Sequence, residues 1–97
     1  MGDKMNRFAD ALEADSILNA AVITRLYPNI LPDQLRLIED PDTNPHVMAV
    51  FNTLAKRLDH DRETITADGM DEDKAYIERA VTAFRAACEN ADIKLDE

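Results

Sequence analysis

Three constellations in this 97-residue chain place chemistry-bearing side chains at suggestive spacings. Asp40, Asp42 and Asn44 alternate as the first ligands of a calcium loop do, and such a loop needs glycine at its sixth position and a bidentate glutamate at its twelfth. Pro45 and Phe51 stand there instead. The calcium reading therefore fails, and alternating acids ahead of a helix read as turn formers and caps. Asp59-His60-Asp61 contains the adjacent His-Asp pair used by metal-dependent phosphohydrolases, but those sites draw further histidines and aspartates from other helices. The only other histidine is His46, about 21 Å away at helical rise, too far to share an ion within one chain.

The lone thiol, Cys88, falls on the apolar side of a predicted helix and far from that helix's N-terminus, where a dipole would lower its pKa. It reads as a small buried hydrophobe. Compact helical pyrophosphohydrolases hold magnesium with Glu-x-x-Glu on an inward face. Here Glu72 is followed three residues on by Ala75 and Glu78 by Val81, and there is no glycine-rich phosphate loop and no G-x-S-x-G elbow. No catalytic residue, metal ligand or cofactor is assigned, and a small metal-dependent hydrolase is the weakest reading considered.

The elements that must position these residues are helical. Only two glycines and four prolines leave little material for the tight turns of a small β-sandwich. Met5, Phe8, Ala9 and Leu12 predict an amphipathic helix over 4–14 with Asp3 as its cap, and Asp15 or Ser16 caps a second one that closes at Tyr27-Pro28. The two helices are alternatively one kinked rod. Pro32 opens a short helix through 38, and Asn44-Pro45 forms an N-cap and N1 pair for a helix ending near Asp59 or His60. Thr64-Ile65-Thr66 allows a short strand at 62–67. Ile77, Ala80, Phe84, Ala87 and Ala91 define a last helix over about 71–91, a seam of small residues whose bulk should come from Phe51 and Leu54 on the facing helix. The expected fold is all-α, a small antiparallel bundle of four to five helices in one domain spanning 1–97, with termini frayed at about 1–3 and 92–97.

Charge is the most telling feature. The net charge of -9 gathers in 39–44, 59–73 and 89–97, between the predicted helices, while 16–38, 45–58 and 74–88 are mildly basic. A pI near 4.5 argues against direct nucleic-acid binding, since phosphate contacts demand a basic face. No window approaches the roughly 18 apolar residues of a membrane helix, and a single cysteine without a signal-like start implies a cytoplasmic address. The sequence thus predicts a non-catalytic interaction module, a regulator or inhibitor docking a basic protein surface. Its candidate binding residues are Asp59, Asp61, Glu63, Asp68, Glu89, Asp92, Asp96 and Glu97. Mimicry of nucleic acid is a special case of this reading. Homo-oligomerisation through the apolar stretch Leu26, Tyr27, Ile30, Leu31, Leu35 and Leu37 is the alternative.

Overall fold

A computed structural model describes residues 3–26, 34, 37–68 and 71–95, with side chains at all of these except 66–68 and 71–73. Four α-helices pack into a bundle: α1 (Asp3–Ala14), α2 (Ser16–Leu26), α3 (Pro45–Asp68) and α4 (Asp71–Asn90), and no strand occurs among the described residues. The helix expected over 32–38 lies largely outside them. At about 1.5 Å per residue the 24 residues of α3 span about 36 Å, which sets the long axis of a body 42 × 26 × 26 Å.

Local chemistry explains the helix starts. Asp15 separates α1 from α2 and caps the second of them, its Oδ1 accepting from the amides of Ile17 (3.0 Å) and Leu18 (3.2 Å). Asn44 does the same for α3, accepting from His46 N at 3.0 Å, with Pro45 in the first helical position, where its missing N–H costs nothing. α4 ends in a Schellman turn. Ile93 N donates to Cys88 O (2.8 Å) and Asp92 N to Glu89 O (3.0 Å), and Asp92 takes the left-handed conformation with φ 59° that glycine usually supplies.

The largest correction concerns α3. It does not stop near Asp59 or His60, and 62–67 is helix, not strand. The apolar stripe of Phe51, Leu54 and Leu58 is resumed at Ile65, seven residues after Leu58 and half-buried against the same core. Two turns of polar residues are thus carried on a face that still has something to pack on. The helix stops one residue short of Gly69, the only glycine after position 2. As a result, most of the acidity assigned to a connection lies on a helix.

The core forms one cluster, and α4 sits at its centre, touching α1, α2 and α3. Its small residues make that possible: Ala80, Ala87 and Ala91 are fully or almost fully buried and let neighbouring backbones come close. All three phenylalanines of the chain meet there. Phe8 packs edge-on against Phe51 (centroids 4.8 Å) and Phe84 (5.9 Å), while Phe51 and Phe84 stack at 6.2 Å. Phe51 faces α4 as the small-residue seam predicts, and Leu54 is buried in the same core. Each such pair contributes about 0.5–1.5 kcal/mol beyond the area it buries.

Candidate functional site

Two acid-rich regions emerge, built differently. The first lies where α1 begins. Asp40 comes from the 39–44 turn, which closes on its carbonyl through Thr43 N (3.1 Å) and Asn44 N (3.2 Å). Its Oδ1 accepts from the amides of Lys4 (3.1 Å) and Met5 (3.2 Å), so α1 is capped by a carboxylate 36 residues away, not by Asp3 as its local sequence suggests. Lys4 then reaches outward, its Nζ bonded to Asp42 and 3.6 Å from Asp92 Oδ2. The Asp42 hydrogen bond raises the Lys4 pKa, with burial opposing it and the charges of Asp42 and Asp92 adding to the rise.

The 39–44 turn and the turn after α4 therefore meet at one end, as alternating helix directions require. Lys4 faces three aspartates there, of which Asp40 is already committed to backbone amides, and Lys94 and Arg85 line the adjoining hollow with Glu89 and Asp92. Glu39 and Glu89 are exposed beside them in the chain. The calcium-like alternation thereby resolves into three separate tasks: Asp40 caps α1, Asp42 pairs with Lys4, and Asn44 caps α3.

The second region is the latter half of α3. Asp59 accepts from Arg85 Nη2 of α4 at 2.9 Å, and its Oδ1 lies 3.6 Å from Arg62 Nη2 one turn on. That Oδ1 is buried and has no hydrogen-bond partner among the described residues, so Arg62 offsets its charge only through space. Asp61 accepts from Arg25 Nε of α2 at 3.0 Å and from Arg25 Nη2. Residues two apart on a helix point about 200° apart, which is why Asp59 faces α4 and Asp61 faces α2. Arg25 also donates to Ala21 O (2.7 Å), and Arg57 Nη1 donates to the Arg25 carbonyl (3.2 Å).

Of the predicted binding residues, Asp59 and Asp61 thus tie helices together, and Glu63 and Glu89 are exposed. Asp92 stands at the α4 turn near Lys4. Asp68 ends α3 with its side chain outside the described set, and Asp96 and Glu97 lie outside the described residues. Sequence reasoning missed Asp42 and Lys4 as members of the first region, because their pairing spans 38 residues and no local spacing encodes it.

His46 and His60 are both exposed, and no group of three or more potential metal ligands occurs among the described residues. Cys88 is buried, and loss of hydration drives its thiol pKa up to about 12, against a smaller lowering by Arg85. A thiol so placed is an inert packing group. Among the described residues no helix is long and apolar enough to cross a membrane. No family model, no curated protein and no solved structure matches this chain.

Proposed function

We propose that this protein is a non-catalytic interaction module, a cytoplasmic regulator or inhibitor that docks a basic surface of another protein. The observation that supports this reading is the arrangement around Lys4, where Asp40, Asp42 and Asp92 converge from separate segments on one lysine side chain. Exposed carboxylates steer a basic partner over a Debye length of about 8 Å at physiological salt, and like charges reject acidic competitors. Asp59 and Asp61 contribute less to such a surface than the sequence suggests, since arginines of α4 and α2 already neutralise them. The docking residues of the reading are therefore Asp42, Glu89 and Asp92, joined by Glu63 on the exposed side of α3. Blocking a nucleic-acid-binding cleft by mimicry is a subcase that would need these acids ranked along one extended face.

The test is capture of host proteins on immobilised protein at rising salt, with identification by mass spectrometry. A basic partner released at moderate salt, and lost from an Asp42→Asn/Glu89→Gln/Asp92→Asn variant but kept by Asp61→Asn, is the expected result. Capture that is insensitive to both salt and these substitutions would overturn the reading.

A second reading, assembly of like copies, draws on Leu37, whose side chain is 68% exposed just ahead of α3. Light scattering at two concentrations decides it, because a strictly monomeric mass at high concentration removes it.

A further inference from the structure

Between α1, the end of α2 and the first half of α3 the bundle leaves a half-open trough. Its deeper part, about 260 Å³, is walled by apolar side chains including Met5, Leu26, Ile38, Val47, Val50 and Leu54, with His46 at the rim. Past Leu26, Val50 and Leu54 it continues into a second hollow of about 380 Å³, where Arg25 and Arg57 join the wall. From His46 to Arg57 the trough follows α3 for about 16 Å at ~1.5 Å per residue.

The two arginines are in different states. Arg25 is engaged by Asp61 and by the Ala21 carbonyl. Arg57 is exposed, its guanidinium is held by the Arg25 carbonyl at 3.2 Å, and among the described residues it pairs with no carboxylate. Lys4, Arg25, Arg62 and Arg85 each sit on an aspartate; Arg57 is among the described cations that do not, and it lines the trough. A guanidinium fixed in place loses little entropy on meeting a carboxylate and can bind it through two parallel hydrogen bonds. An apolar channel leading to such a group is complementary to an amphiphile with one chain and one anionic head.

We infer that this trough binds a long-chain carboxylate, with the alkyl chain along Val47, Val50 and Leu54 and the head group on Arg57. The test uses the whole chain and displacement of N-phenyl-1-naphthylamine, a neutral apolar dye, by dodecanoate and by 1-dodecanol below their aggregation concentrations. The expected result is saturable dye uptake, with dodecanoate displacing it about tenfold more tightly than the alcohol, the scale of one charge-assisted hydrogen bond in a partly desolvated site. Arg57→Gln, a change at an exposed position, should remove that preference and leave the affinity for dodecanol unchanged. Val50→Trp, which fills the trough, should abolish dye uptake while the circular dichroism melt stays cooperative.

Equal affinity for acid and alcohol in the unaltered protein overturns the assignment of the head group. Absence of saturable uptake overturns the site as a whole. That second outcome is the one expected if residues 27–36 or a second copy of the chain fill the trough instead, and light scattering tells those two apart.

Discussion

At the end of the bundle where α1 starts, one lysine holds aspartates delivered by two different turns. Along the second half of α3, by contrast, Asp59 and Asp61 each meet an arginine from a neighbouring helix. Both regions look alike in sequence, as runs of acids. They differ because of what carries them. A helix turns successive acids toward different neighbours, so Asp59 and Asp61 each reach a separate guanidinium on α4 and α2. Turns carry no such periodicity, and where two turns converge their acids share whatever cation is present, here Lys4. Acids that a helix turns toward neighbouring helices, as with Asp59 and Asp61, therefore become struts, and those on the converging turns leave an excess of negative charge.

The contrast can be broken outright. Phe84→Ala empties the centre of the phenylalanine cluster that joins α1, α3 and α4, the helices that carry both regions, and should cost about 3–5 kcal/mol. Urea unfolding should then show both ends lost in one transition. Separate transitions would show that the two regions are not one cooperative unit.

Alkaline titration comes next. The Cys88 thiol has its pKa raised from 9.0 to about 12, so the unfolded chain loses its proton first and the folded chain keeps it. Stability from this group is full below pH 9.0 and falls as pH rises toward 12. Lys4, also raised, adds a loss in the same direction as pH climbs through its folded pKa. Cys88→Ala should flatten the part of the slope that begins near 9, as read by denaturation midpoints across that range. An unchanged slope would mean the thiol is hydrated.

Smaller changes sharpen the contrast end by end. Arg25→Met leaves Asp61 without its arginine, and because that carboxylate is 38% exposed it can rehydrate, which limits the cost to about 1–2 kcal/mol. Asp40→Ala removes the remote cap of α1 and should cost about 1 kcal/mol, with faster amide exchange confined to Lys4 and Met5 and their neighbours. Asp92→Gly should stabilise by about 0.5 kcal/mol, since glycine takes the left-handed conformation without strain, and the Lys4 contact it gives up is long and solvent-screened. A loss of stability there would show that Lys4 depends on Asp92 more than on Asp42.

Much of the fold was legible because its signals are local. Asp15 and Asn44 cap where their spacing says they should, Pro45 opens α3, and Phe51 faces the alanine seam of α4. The end of α3 was misread for the converse reason. Residues 59–68 have few apolar members, and the one that mattered, Ile65, is recognisable as a continuation of the stripe only when counted seven back to Leu58. The acids of 59–68 accordingly lie on α3, where their composition alone suggests a connection. Of the candidate binding surface, Asp92 and Glu89 were found from composition, whereas Lys4 and Asp42 carry no sequence mark of their meeting.

By itself the sequence determined that the chain is helical, where three of its four helices begin, most of the residues that form the core, and that Cys88 lies inside; Ile93, expected in a frayed end, joins the core only in the fold. Caps act over two or three residues and apolar stripes over one or two turns, so the chain states them directly. Only the tertiary structure decided which acids are neutralised and which are left over. That depends on pairings across 26 to 38 residues, and a carboxylate's role is set by whichever cation folding brings within about 4 Å of it.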